Sequence, residues 1–270
     1  MDIACQDGRT ALVEACRGGH LEVVRVLVKA GANVDVVWEE KDGVVWTLLP
    51  VAAQLGHVGI VKELIRGGAN VLAPHSDGNT PLNFAAASSK DGCAGIVKAL
   101  LEAGAEVDRV GRGKTGWPLS LASKNGNLDV VRELIKGGAN LEKTFEEEDG
   151  FPLGVSISGG WNELTPVVHA ANFGHMKVVK EILGEGAIPQ RPRAGCNPEQ
   201  RFLLFVKMLM EGQAKVDAAS GDGAMLLRIA CDKGFAGAVR VLITKGVSRH
   251  LKGADVAGEN ALTPLEAACR

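Results

Sequence analysis

Short runs of aliphatic residues recur along the chain at helical spacing, and glycine follows each of them. From Gly19 the sequence reads GHLEVVRVLVKAGANVDV. GHVGIVKELIRGGANVL begins at Gly56, GNLDVVRELIKGGANLE at Gly126, GHMKVVKEILGEGAIPQ at Gly174, and a weaker copy, GFAGAVRVLITKGVS, at Gly234. In the first copy Val23, Val24, Leu27 and Val28 form an apolar stripe, which predicts an amphipathic helix. Gly31 stands just beyond it, where a left-handed residue closes a helix C-terminus. Gly68, Gly104, Gly138, Gly186 and Gly246 recur at that place. A shorter apolar run precedes each copy. In DGRTALVEACRGG, Leu12, Ala15 and Cys16 share one helical face, and Gly19 separates this first helix from the second. Polar stretches, some with Asp-Gly, read as turns between units.

The period is regular enough to count. Thr10, Thr47, Thr80, Trp117, Thr165, Met225 and Thr263 mark equivalent places, 33 to 38 residues apart except across 117–165 and 165–225. The longer of these gaps hides a degenerate copy, FVKMLMEGQAKVD at 205–217, which matches VVRVLVKAGANVD at 23–35. The chain therefore divides into units 5–36, 42–72, 77–108, 113–142, 161–190, 191–218 and 221–250, with a partial unit at 258–270 and insertions at 143–160 and 189–200. One unit buries too few aliphatic side chains to offset the entropy of ordering its backbone, so the units must stack on one another around a continuous core.

The motifs DGNTPLNFAAA and LTPVVHAANFGHMKVVKEIL, with the endings AGANVD and GGAN, resemble the ankyrin repeat, and the resemblance covers nearly the whole chain. It implies an all-α solenoid of stacked antiparallel helix pairs, with projecting β-turn fingers and a concave binding face. Two departures stand out. The family's TPLH histidine is replaced by Val13, Pro50, Asn83, Ser120, Val168, Arg228 and Glu266, and Trp117 and Met225 take the place of its threonine.

Composition narrows the function classes. A formal net charge of −2 gives no electrostatic reason to expect nucleic acid as a partner. No run approaches the ~18 apolar residues that span a bilayer, and the start, MDIACQDGRT, lacks the order of a signal peptide. Cysteines 5, 16, 93, 196, 231 and 269 are scattered without a CxxC pair, which favours reduced thiols in the cytoplasm or nucleus. Nothing calls for a cofactor, a metal or a second copy of the chain, so a monomer is expected.

Candidate chemistry was weighed motif by motif. GRGKTG at 111–116 has glycines around a Lys-Thr pair, but Asp108 stands where a phosphate loop needs its first glycine, and the segment follows a helix, not a strand. It reads as a finger. His20, His57 and His175 follow the inter-helix glycine and read as helix starts; His169 lies on an inner helix, and His75 and His250 stand alone in connecting segments. Cys16, Cys231 and Cys269 share an inner-helix position that suits packed thiols, whereas Cys5, Cys93 and Cys196 read as turn residues open to reaction. The run 146–149 (EEED) reads as a solvated finger rather than a metal site.

Aromatic residues carry more information. Trp38, Trp46, Trp117 and Trp161 all fall in or beside fingers rather than on helix stripes. Either these fingers hold small cores of their own or the rings are binding anchors; Trp117 leans to the first reading, Trp46 and Trp161 to the second. The 143–160 insertion contains FPLGVSISGGW, which alternates as a short hairpin does. In the second insertion Asn197 and Pro198 are placed to start a helix running to Met210.

The function expected is a non-catalytic protein-interaction module, binding a protein or peptide partner on the concave face. The candidate contact residues are Trp46, Asn79, Lys124, Asn125, Trp161, Asn162, Asn172 and Phe173. The alternative is a regulatory or targeting segment of a larger signalling protein such as a kinase, a ubiquitin ligase adaptor or a channel. An enzyme built in the 143–200 insertions lacks a nucleophile–base–acid set in the sequence.

Overall fold

The computed structural model describes residues 9–39, 43–111, 116–143, 145–146, 163–187, 198–211, 221–244 and 247. The chain forms two compact units, 1–140 and 141–270.

The first unit is built from four helix pairs: α1 (Ala11–Arg17) with α2 (Leu21–Lys29), α3 (Leu48–Gln54) with α4 (Val58–Arg66), α5 (Pro81–Ala87) with α6 (Cys93–Glu102), and α7 (Pro118–Lys124) with α8 (Leu128–Lys136). The shorter helices α1, α3, α5 and α7 pack in one file, and α2, α4, α6 and α8 in a second. The core between them is aliphatic and small: Leu12, Leu49, Leu82 and Leu119 from one file and Val24, Leu64, Leu100 and Leu134 from the other are all at most 2% exposed. Between the first two pairs β1 (Val37–Glu39) and β2 (Val45–Thr47) form an antiparallel hairpin.

Each longer helix closes in the same way. Gly31 N–H donates to Val28 O and Ala32 N–H to Leu27 O, both at 3.0 Å. Gly68–Ala69, Gly104–Ala105 and Gly138–Ala139 repeat the two bonds. This satisfies carbonyls that a helix end leaves bare, and it needs a left-handed residue, here Gly31 at φ +83°. Other glycines answer to space instead. A Cβ on Gly59 would lie 2.8 Å from Leu21 Cδ2, and one on Gly67 2.8 Å from Val28 Cγ1, so the outer helices approach too closely for a side chain.

Polar links fix the register between pairs. Glu63, only 8% exposed, accepts from Arg25 of the preceding pair at 3.3 Å and from Arg66 at 2.7 Å. Asn83 does more. Its Oδ1 accepts from Thr80 N (3.0 Å) and Thr80 Oγ1 (2.7 Å), closing a capping box at the start of α5. Its Nδ2 donates to Arg109 O (3.2 Å) and Gly116 O (3.4 Å), holding the next finger. Asparagine thus fills the family's histidine position with a short bridge. At Val13, Pro50 and Ser120 the side chain forms no hydrogen bond of this kind among the described residues.

The apolar stripe expected on α2 is only partly buried. Val24 is fully buried, but Val23 is 49% exposed, because α2 packs on α1 and on α4 and its remaining side has no helix against it among the described residues. Cys93 also departs from expectation. It is the first residue of α6, not a turn residue, and is 1% exposed.

In the second unit β3 (Phe145–Glu146) pairs antiparallel with β4 (Glu163–Leu164). Then come α9 (Pro166–Asn172), α10 (Met176–Gly184), α11 (Pro198–Glu211), α12 (Gly221–Asp232) and α13 (Ala236–Thr244). The FPLGVSISGGW segment lies outside the described residues. The helix expected from Asn197–Pro198 is present as α11 and packs on α13, as one outer helix packs on the next in the first unit. Phe202 lies at its centre, with ring centroids 6.4 Å from Phe205 and 5.5 Å from Phe235.

Two outcomes test this packing. Asn83→Ala removes a cap and strands buried partners, and should lower unfolding free energy by about 2–3 kcal/mol in a denaturant titration; a loss below ~0.5 kcal/mol would show the bridge to be idle. Burial pushes the Cys16 thiol up to about 12. In the folded protein at pH 8, Cys16 and Cys93 should resist iodoacetamide while half-buried Cys231 labels faster than either, read by peptide mass spectrometry; denaturant should abolish the difference.

Candidate functional site

The file α1, α3, α5, α7 presents one side to solvent, and its composition changes along the row. Val51, Phe84 and Leu121 occupy the same position on α3, α5 and α7. Val51 is 8% exposed, and Phe84 and Leu121 are half-buried. Helices α3 (LLPVAAQ) and α5 (PLNFAAA) carry no charged side chain. One turn further on stand Gln54 and Ala87, both exposed, and half-buried Lys124. The result is an apolar strip running across three repeats, with polar residues along one margin.

The other margin is the finger. In the β1–β2 hairpin Trp38 stands opposite Trp46, and strand alternation puts both rings on one face, away from exposed Val37 and Glu39. Trp38 is 2% exposed. The half-buried Trp46 ring lies 4.1 Å from His75 and 6.0 Å from Phe84, and His75 meets Phe84 edge-on at 5.4 Å. Finger and inner helix are therefore joined by an aromatic corner. The Trp38 and Trp46 indole N–H groups and His75 Nε2 are buried there without a hydrogen-bond partner among the described residues.

A tight turn holds His75 in place. Its backbone N–H donates to Asn79 O and its carbonyl accepts from Gly78 N–H, both at 2.8 Å, while Ser76 N–H reaches Val45 O of β2 at 3.3 Å. His75 Nδ1 lies 2.9 Å from Asp77 Oδ1. Asn79 closes the turn through its backbone N–H to Oδ1 (2.8 Å) and its amide to Oδ2 (2.9 Å) of Asp77. Partial burial pushes the Asp77 carboxyl up, but the Asn79 and His75 hydrogen bonds and the His75 charge outweigh it. The carboxyl is held below its usual 3.8.

The residues singled out in the sequence fall in different settings. Trp46 is in the aromatic corner. Asn79 is 7% exposed and its amide is spent on Asp77. Lys124 ends α7 at the edge of the strip, and Asn125, exposed beyond it, donates to Ala87 O at 2.7 Å. Asn125 also lines a polar pocket of about 300 Å³ with residues 89–94. In the second unit Asn172 is the last residue of α9, and half-buried Phe173 follows as its C-cap, its ring stacked on His175 at 6.4 Å. Trp161 and Asn162 lie outside the described residues.

Phe84 and His75 are the members the sequence did not flag. Phe84 sits four residues after Thr80, where the helix row faces out, and His75 stands two residues before Asp77 of the turn. His20, His57 and His175 do start helices α2, α4 and α10, and His169 is 1% exposed within α9. Trp117 is the N-cap of α7 and half-buried; residues 112–115 of the GRGKTG segment lie outside the described residues. Among the described residues no three His, Cys, Asp or Glu side chains converge as a metal site, and no helix is long and apolar enough to cross a membrane.

Comparison with known proteins agrees with this geometry. A family model described as ankyrin repeats (three copies) matches residues 38–111, and the single ankyrin repeat matches 7–38 and 117–144. The ankyrin repeat and KH domain-containing protein mask-1 of Caenorhabditis elegans is 28% identical over 98% of this chain, which spans only 9% of that protein's length. The solved ankyrin repeat domain of human ASB11 superposes with a TM-score of 0.54 at 21% identity, covering 96% of this chain and 92% of the other; at that identity the likeness concerns the fold alone. With helix pairs, glycine closures and fingers in the places these matches require, the chain belongs to the ankyrin-repeat family.

Proposed function

We propose that the protein is a non-catalytic platform that binds a protein or peptide segment along the strip formed by Val51, Phe84 and Leu121 and bounded by Trp46. The observation that carries this reading is the absence of charge from α3 and α5 beside two half-exposed apolar side chains. Ankyrin repeats are interaction modules, and an apolar strip with polar margins has the anatomy of a binding surface. Because neighbouring pairs hold the strip rigidly, a partner binds with little ordering cost on this side.

Lys124 and Asn125 would make polar contacts at the strip's margin, and Asn79 would act through the turn it closes. The second unit contributes its own candidates, Trp161, Asn162, Asn172 and Phe173. The relative of which this chain spans 9% also favours a second reading, in which the repeats target or regulate a larger protein. Both readings use the same surface, and both leave the partner to be identified.

Affinity capture followed by mass spectrometry tests the surface. Phe84→Ala combined with Leu121→Ala should weaken capture of the wild-type partners at least tenfold, about the effect of losing one hot spot, with helicity retained. The pair Trp46→Ala plus Trp161→Ala should do the same if the fingers share the contact. Partners retained at wild-type level by both pairs would place the binding surface elsewhere.

A further inference from the structure

A different surface carries a more specific inference, independent of the strip. On α2, Val23, Val26, Leu27 and Ala30 fall at i, i+3, i+4 and i+7 and so form one helical stripe. Val23 is 49% and Val26 65% exposed; Ala30 is exposed and Leu27 half-buried. The same positions in later pairs are covered by the helix before them. Ile60, Ile96 and Val130, which correspond to Val23, are at most 1% exposed, and Leu64, Leu100 and Leu134, which correspond to Leu27, are fully buried. Glu63, at the place of Val26, takes Arg25 of the preceding pair, and Gly67, at the place of Ala30, fits under Val28. By the geometry of its own repeats, the stripe is a surface on which a helix docks.

Its flank says which helix. Glu22 and Lys29 lie two turns apart on the same side of the stripe, one near each end. Both are exposed. Glu22 bonds Arg25 but is still 77% open, and no ion pair is formed by Lys29 among the described residues. Two copies of α2 packed in parallel about a twofold axis would carry this flank of each copy to opposite sides of the seam, where Glu22 and Lys29 meet neither each other nor their counterparts. Packed antiparallel about a twofold axis near Val26, they set each Glu22 beside Lys29 of the other copy, Val23 beside Ala30, and Val26 and Leu27 against their own counterparts.

We propose that α2 is a self-association surface, on which a second copy of this chain docks antiparallel through Val23, Val26, Leu27 and Ala30. The pairing departs from the monomer expected from the sequence. One helix stripe is smaller than the roughly 800 Å² per partner of a stable interface, so the dimer is weak, with Kd on the order of tens of micromolar.

Sedimentation of the full chain from about 5 to 300 μM, a range that brackets such a Kd, provides the test. The wild type should shift from monomer to dimer. Val26→Glu should weaken the dimer at least tenfold without changing the melting temperature, since its side chain packs on little in the monomer. Lys29→Glu should weaken it through like-charge repulsion, and Glu22→Lys combined with Lys29→Glu should restore it. A wild type that stays monomeric throughout, or a dimer unaffected by Val26→Glu, overturns the proposal. Failure of the double swap to rescue Lys29→Glu overturns the antiparallel register.

Discussion

The close approach of consecutive outer helices sets the terms for everything else in the first unit. Gly59 leaves room for Leu21 and Gly67 for Val28, so the second helix pair can lie flush on the first. Apolar stripes that a single pair would expose are then buried between pairs, and the entropy of ordering the next unit is offset by a surface already formed. Repetition of one contact also aligns the inner helices, since each is tied to its outer partner by a short glycine turn.

Fingers add a second level of order. The β1–β2 hairpin is short and is not stable by itself; it is held by the Trp46–His75–Phe84 corner and by Ser76 reaching Val45 O. The finger between α6 and α7 is held by Asn83 through Arg109 O and Gly116 O. One finger thus rests on ring packing and the other on a polar bridge. Rings can shift against one another with little loss, whereas a bridge with four partners is satisfied in one geometry only. The two fingers should therefore differ in stiffness, although they belong to copies of the same repeat.

Most of the fold was legible because it is written in local rules. Glycine after an aliphatic stripe, threonine or proline at a helix start and a fixed period place most of the elements; α12 departs from them, starting at Gly221 with Met225 inside the helix rather than before it. The site was less legible because exposure is a property of neighbours. Val23 and Ile60 are equivalent in the repeat, yet one is 49% and the other 1% exposed. Cys93 looked like a turn residue because the link 88–92 is longer than the other inter-helix turns, which shifts the start of α6. Asn79 looked like a polar fingertip, but its amide is consumed by Asp77. Trp46 was visible as an aromatic out of phase with the helices; its companions were not, because a histidine in a turn and a phenylalanine on a helix meet only after two repeats have stacked.

At Gly31, Gly68, Gly104 and Gly138 no atom lies within 4 Å of where a Cβ would stand, so these residues are required by backbone angle alone. Replacing any one of them with alanine strains its own closure and leaves every contact between repeats intact. Their penalties are therefore independent, and they add. The four positions form a set of weights spread along the first unit, by which the point where it begins to fray can be moved from one end to the other without touching the strip or the α2 stripe.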